Sequence, residues 1–324
     1  MNILITSASR KASLVLAFQE ALAQEGGGKV IAVDASPLAP ALYFADEHYL
    51  VPLSHDSDFL EVLLRLCVLL KINLIVPTRD EELPFFSEHK REFTDVGTFV
   101  VVSDPATVRM CQDKKVFIKF CQENNFTIPR SYEITNLPAD LEFPVFIKDR
   151  YGKGAKKAVR INSKRALESV LEEMPDAIIQ EFVDAPEYTI DLFADFSGRV
   201  ISVVPRERIY IVGGESFVGR TKKNPVLIQE GTRLAEKLHL IGHNTIQCFL
   251  DGDLVKFIEV NPRFGGGANL GFAAGAHTPL FLVKLLKGET LEPRVGEFKA
   301  NYIMLRYTKD VFLDSEALVT RTFR

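Results

Sequence analysis

T-I-Q-C-F-L-D-G-D-L-V-K-F-I-E-V-N-P-R, residues 245–263, is the stretch on which the fold turns. Two apolar runs, 245–250 and 254–260, flank Asp251-Gly252-Asp253, a strong hairpin signal. Side chains two apart on a strand share one face. Glu259 and Asn261 therefore point the same way, and Gln247 on the partner strand can lie across from them. Three oxygen donors, one of them charged, then converge with no soft ligand nearby. Hard donors of this kind suit Mg²⁺ held together with nucleotide phosphates. Arg263, two residues beyond Asn261, can reach a phosphoryl oxygen or a substrate carboxylate. A solvent-facing strand end with ordinary polar residues would look the same in isolation, so the rest of the chain has to decide.

Two upstream segments bear on it. Residues 143–160 read F-P-V-F-I-K-D-R-Y-G-K-G-A-K-K-A-V-R. Lys148 falls within an apolar strand, 144–149, where an unpaired ammonium costs several kcal/mol of desolvation, so an anionic partner is expected. The strand leads into Gly152-Lys153-Gly154-Ala155-Lys156, whose small residues let backbone N–H groups approach an oxyanion while the lysines add positive charge. The bland alternative is a solvated basic hairpin, and Lys148 just upstream weighs against it. Residues 178–191, I-I-Q-E-F-V-D-A-P-E-Y-T-I-D, read as strand, turn, strand. Such a hinge can hold an adenine by its backbone edge while Glu181 or Glu187 accepts from ribose hydroxyls; two surface glutamates flanking a turn are the alternative.

The first hundred residues have another texture. Short apolar strands at 2–6, 30–33, 48–51, 73–76 and 98–102 alternate with helical spacing at 13–24 and 59–70, which argues for a parallel sheet covered on both faces. The first strand-to-helix turn, Ser7-Ala8-Ser9-Arg10-Lys11, has no glycine, so the G-x-G-x-x-G approach to a dinucleotide is missing. Asp34 then reads as a strand-end carboxylate serving a turn. Asp104-Pro105 opens a short helix and residues 113–123 form a second. Beyond Pro129 the pattern is α+β and largely antiparallel: strands at 144–149, 158–161, 178–182, 188–195, 199–204, 245–250 and 254–260, with helices at 163–173 and 226–238. Residues 298–307 suggest one more strand.

The chain has 324 residues, 47% hydrophobic and 25% charged, which excludes a disordered, collagen-like or coiled-coil chain. Its net charge of -4 lacks the basic excess of a duplex-binding domain, so no nucleic-acid partner is expected. Cys67, Cys111, Cys121 and Cys248 are too scattered for a zinc site or a C-x-x-C pair and read as buried reduced thiols of a cytoplasmic protein. The most apolar stretch, 59–76, contains Glu61, Arg65, Lys71 and Asn73, so no membrane span is expected. Residues 2–6 already read as a core strand, so no leader is expected before them.

Taken together, the 143–160, 178–191 and 245–263 segments resemble the ATP-grasp superfamily, most closely the domains of carbamoyl phosphate synthase large subunits, over nearly the whole chain. The resemblance implies an α/β pre-ATP-grasp domain (1–103) with a parallel sheet, then an α+β ATP-grasp fold (104–310) with a small lid at about 128–181, and a tail (311–324). It implies ATP as cofactor with two Mg²⁺ ions, Mn²⁺ being an alternative. Asp113-Lys114 resembles the start of the grasp, so Lys114 and Lys148 would lie on the phosphates. Gly152, Gly154 and Lys156 would belong to the loop that closes over them. Glu181 and Val183 would hold adenine and Glu187 the ribose. Gln247, Glu259 and Asn261 would bind metal, Gln247 standing where many members have an acid. Arg263 would act in catalysis. Gly265 to Gly275 resembles the small-residue run that follows in this family.

The implied activity is an ATP-dependent ligase that activates a small carboxylate as an acyl phosphate for attack by an amine-type acceptor. Arg208, beside Arg206 and Arg220 near the Gly213-Gly214 turn, is the expected ligand of a substrate carboxylate, and residues 78–82 are expected to line the same cleft. Two other readings accompany this one. The first is a carbamoyl phosphate synthase-like subunit that needs a partner chain, since one grasp unit is expected here and no glutaminase. The second is a non-catalytic nucleotide-binding module. A homodimer or a partner subunit is compatible with each.

Overall fold

The computed structural model describes residues 1–151, 158–318 and 322–323. Strands β1 (Asn2–Ile5), β2 (Lys29–Asp34), β3 (Glu47–Leu50), β4 (Ile72–Val76) and β5 (Phe99–Val100) form a parallel sheet in the order β3-β2-β1-β4-β5. Alternate residues enter two different cores. Ile3, Ile5, Val30, Ala32, Leu74 and Val76 face helix Ala12–Gln24, while Leu4, Ile31, Val33 and Ile75 face helix Phe59–Leu70. Apolar residues on both faces are what a sheet covered on both sides requires. Asp34 serves the neighbouring turns, accepting from the Ser9 and Ser36 N–H groups at 2.9 and 3.0 Å.

Strands β6 (Ser131–Tyr132), β7 (Val145–Lys148), β8 (Ala158–Ile161) and β9 (Ile178–Glu181) make a small antiparallel sheet in the order β6-β9-β7-β8. It has its own core of Val145, Ile147, Ile161 and Ile179, closed by Leu167 of helix Lys164–Glu173.

The third sheet contains β10 (Glu187–Ala194), β11 (Val200–Val212), β12 (Glu215–Thr221), β13 (Gly242–Asp251), β14 (Leu254–Asn261) and β15 (Ile303–Leu305), antiparallel in the order β14-β13-β10-β11-β12-β15. Alternation divides β10. Tyr188, Ile190 and Leu192 pack with Leu227 and Leu234 of helix Pro225–Lys237, which leaves Glu187, Thr189 and Asp191 for the opposite face. That opposite face carries the polar groups. The first core of the parallel sheet runs on into this body, where Phe18 meets Phe264 edge-on at 5.8 Å and Phe193 joins Phe281.

Three expectations are corrected. The strand expected at 199–204 continues to Val212 and turns through Gly213 and Gly214, both at positive φ, into β12, a strand not expected from the sequence. Two successive positive-φ residues match the twist of a hairpin, and glycine supplies them without a Cβ clash. The strand expected at 298–307 is three residues long. Helices Asn269–Ala273 and Thr278–Leu286 were not expected. The tail has a partner: Phe323 N–H donates to the Leu50 carbonyl at 3.0 Å, and its ring packs edge-on against Tyr49.

All four cysteines are buried and unpaired. Burial pushes the Cys67 and Cys121 thiols up to about 12, and Cys111 and Cys248 further still. Among the described residues no helix is long and apolar enough to cross a membrane.

Candidate functional site

The β13–β14 hairpin sets Gln247 opposite Glu259 in register, with Gly252 at φ 63 in the turn. The Asn261 amide donates to Glu259 Oε1 at 3.1 Å. With its amide oriented to suit its neighbours, Gln247 donates to the same oxygen at 3.3 Å and accepts from Arg208 Nη1 at 2.8 Å. The three oxygen-bearing side chains expected to converge therefore do so.

Lys148 ends β7 and enters this group from the small sheet. It is buried, and its ammonium donates to the Ile258 carbonyl at 3.4 Å. The anionic partner expected for it is not at contact distance: among the described residues no carboxylate oxygen lies within 4.0 Å of its Nζ. Burial pulls the ammonium down to about 8, Glu259 and Glu187 raise it, and Lys114 lowers it further. Lys114 is itself buried, at the first turn of helix Lys114–Glu123. That helix starts where it does because Asp113 caps it, accepting from Lys115 N–H at 3.0 Å. Asp113 also takes Arg150 through Nε and Nη2 at 2.8 and 2.6 Å, which holds its carboxyl down to about 2.

Glu187 starts β10 and pairs with Arg208 Nη1 at 3.0 Å; burial pushes its carboxyl up and Arg208 opposes that. Arg208 also donates to the Gly214 carbonyl at 2.8 Å. The three arginines grouped by sequence do not gather. Arg206 pairs with Asp191, Arg208 with Glu187, and Arg220 with Glu207 directly across the β11–β12 ladder. Arg208 is thus engaged beside the oxygen donors, while its Nε has no hydrogen-bond partner among the described residues.

Glu181 stands apart at the end of β9, paired with Lys256 of β14 at 3.0 Å and 3.9 Å from Arg130. Val183 is half-buried in the turn between β9 and β10. Gly152, Gly154 and Lys156 lie outside the described residues.

Arg263 reaches away from the hairpin to the parallel sheet, donating to both oxygens of Asp80 at 2.8 and 2.6 Å. Asp80, within the 78–82 segment, thereby meets Arg263, a partnership across 183 positions that has no local sequence signal. A second feature escaped the reading. Arg206, 2% exposed, forks onto Asp191 at 2.5 and 2.9 Å, with His243 Nε2 3.8 Å from the same carboxylate. His243 stacks on Phe264, and burial drives its imidazole down to about 4. The 264–272 segment lies on this network so closely that a Cβ at Gly267 would come within 2.5 Å of Arg206 Nη1. Asp191 between Ile190 and Leu192 was the available clue, since a carboxylate in an apolar strand needs a cation.

Two family sequence models match the chain: the PylC-like N-terminal domain over residues 3–101, and ATP-grasp in the biosynthetic pathway with Ter operon over residues 173–309. A carbamoyl phosphate synthase large chain of Synechocystis sp. is 26% identical over 190 residues, 52% of this chain and 18% of that one. A 3-methyl-D-ornithine–L-lysine ligase of Methanosarcina barkeri is 23% identical over 249 residues, 75% of this chain and 62% of that one. The chain therefore spans less than two thirds of either relative. Among solved structures, the biotin carboxylase domain of Hydrogenobacter thermophilus 2-oxoglutarate carboxylase, in complex with MgADP, ADP and bicarbonate, matches with a TM-score of 0.73 at 15% identity. That match covers 93% of this chain and 73% of that one.

Proposed function

We propose that the chain is an ATP-grasp protein, an ATP-dependent ligase that joins a small carboxylate to an amine-type acceptor, a reading that the family-model match over residues 173–309 supports. The observation that carries this reading is Lys148, a buried ammonium between the small sheet and the body with no carboxylate of the described residues in contact. Polyphosphate oxygens would complete it at lower cost than leaving it alone. Lys114, also buried, would share that load. Glu187 would accept from ribose hydroxyls, held in place by Arg208. Glu181 and Val183 border the place for adenine.

The donor set suits Mg²⁺ brought in with nucleotide. One carboxylate and two amides give little charge for holding a bare cation, and phosphate oxygens would supply the rest. Gln247, Glu259 and Asn261 would hold the metal, whose chemistry there is to neutralise charge on the transferring phosphoryl oxygens. This chain's own contribution is to hold and orient. Lys148 and Arg263 would supply positive charge beside Glu259 and Asn261. No side-chain nucleophile is needed. The test is phosphate release from ATP and Mg²⁺ in a matrix of carboxylates against amines. Release that needs one particular acid and one particular amine is expected, and binding of ATP without release under every pair would overturn the ligase reading.

A second reading takes bicarbonate as the carboxylate, as the likeness to the synthase large chain suggests. It requires ADP formation that depends on bicarbonate, and equal ADP formation in bicarbonate-free buffer would remove it.

A further inference from the structure

A second cluster of charged groups lies where the strand order of the parallel sheet reverses. β1 and β4 are neighbours, with β2 and β3 beyond β1 on one side and β5 beyond β4 on the other. The turns leaving the carboxyl ends of β1 and β4 therefore diverge, and open α/β sheets take ligands in such a crevice. Its floor is tied down. Thr78 Oγ1 donates to the Thr6 and Ser7 carbonyls, both at 2.8 Å, and Ser7 Oγ donates to Glu82 at 2.8 Å. Glu82 also accepts from the Thr78 and Arg79 N–H groups at 2.6 and 3.0 Å. Ser7 and Ser9 are held at φ 46 and 48, a left-handed conformation that serine adopts only when its surroundings enforce it.

Lys11, Arg79 and Arg263 converge on this floor. Arg263 is clamped on Asp80, and Arg79 touches Glu81 at the exposed rim, 3.4 Å away. Lys11 is half-buried, and its ammonium makes no hydrogen bond or ion pair with any described residue. Burial, then the charge of Arg263, pulls its ammonium down to about 8; Glu82 raises it, Arg79 lowers it and Asp80 raises it. The charges acting on Lys148 are Glu259, Lys114 and Glu187, and none of them is in the set that acts on Lys11. The two clusters are thus separate and meet at residues 259–263, where Glu259 and Asn261 belong to one and Arg263 to the other.

We propose that Lys11 and Arg79, beside Arg263, hold the non-reacting carboxylate of the acceptor, and that the acceptor is a free α-amino acid whose amino group is the nucleophile. This rests on the ligase reading above. A carboxylate there supplies the anion Lys11 lacks and leaves the amino group of the same small molecule free to face residues 259–263. In the ligation step that nitrogen forms the new C–N bond, the acyl-phosphate C–O bond breaks with its electron pair leaving on phosphate, and the nitrogen's protons pass to water.

The test reads Lys11 directly, without turnover. The full chain is trace-labelled with acetic anhydride, with and without MgADP, and labelling at Lys11 is followed by mass spectrometry against each free L-amino acid and its α-amide. A free acid is expected to slow labelling about tenfold when present at roughly ten times its dissociation constant, with the amide and MgADP having no effect. Lys11→Met should then raise the KM of that acid about tenfold or more at unchanged kcat and unchanged KM for ATP, and Lys11→Arg should restore part of the loss. Protection by no amino acid, or equally by the amide, overturns the proposal while leaving the ligase reading intact if phosphate release occurs with another acceptor. Protection by MgADP assigns Lys11 to the nucleotide and also overturns it. Protection by an amino acid with no release of phosphate overturns its role as acceptor, and the ligase reading is then judged by the carboxylate–amine matrix alone.

Discussion

The two large sheets of this chain handle charge in opposite ways. In the parallel sheet the strand interiors are apolar on both faces, and every functional candidate sits past the ends of the strands, at Lys11 and at residues 78–82. In the antiparallel body one face packs under a helix, and the other carries Asp191, Arg206, Arg208, Gln247 and Glu259 within the strands themselves. A sheet that is apolar on both faces can place chemistry only at its edge, whereas a sheet with one largely polar face can place it within the strands. Arg263 joins the two arrangements, rooted at the end of β14 and clamped on Asp80 past β4.

The sharpest challenge to this contrast is Glu259→Ala. If the face of the body does the chemistry, the variant loses Mg²⁺-dependent nucleotide turnover and keeps its circular dichroism; normal turnover would end the metal assignment. Asp191→Ala comes next. It leaves the Arg206 guanidinium buried without its carboxylate, and urea unfolding should show a loss of about 3–5 kcal/mol. Pairing Asp191→Leu with Arg206→Met should recover much of that loss, because both charges then go together. Leu4→Ala tests the other sheet: a loss of about 2–5 kcal/mol in stability is expected, with ATP affinity unchanged by calorimetry, since residues 3–5 of that strand are all apolar and buried.

Lys148→Ala should weaken ATP by about 1.5–3 kcal/mol, roughly tenfold to a hundredfold, as a charge-assisted contact is lost. Unchanged affinity would mean that the lysine does not meet phosphate. The smallest effect is at Asp113, whose carboxyl is held down to about 2 by Arg150 from an ordinary value of 3.8. Its stabilisation is full above the unfolded value and is lost as pH falls through the folded one. Asp113→Asn should therefore cost about 1 kcal/mol at neutral pH. The gap to the parent should narrow below pH 3.8 and close near 2, as read by denaturant unfolding across that range.

How much of this could be read beforehand follows from the range of each interaction. The Gln247–Glu259 pairing was legible because a tight Asp-Gly-Asp turn fixes register over a few residues. The parallel strands were legible because burial on both faces leaves an unbroken apolar run. The extension of β11 was not, since Arg206, Glu207 and Arg208 interrupt any simple alternation, and their partners Asp191 and Glu187 lie on another strand. The contact of Arg263 with Asp80 was not legible, since nothing near Arg263 in sequence points to Asp80. Lys11 drew no attention because the turn that holds it was judged by the glycines it lacks. Its interest comes from Arg79 and Arg263, which only the fold brings near.

The four buried thiols open a route to watching the small sheet move. Each is shut in the interior, and burial keeps the thiolate scarce at neutral pH. A maleimide dye added to the native protein should therefore pass over them and react where a cysteine is introduced. Ser169→Cys on the small sheet's helix and Glu236→Cys on the body's helix are both exposed positions. A donor and acceptor dye on that pair would turn any approach of the two sheets on adding nucleotide into a change in transfer efficiency, with no native cysteine to remove first.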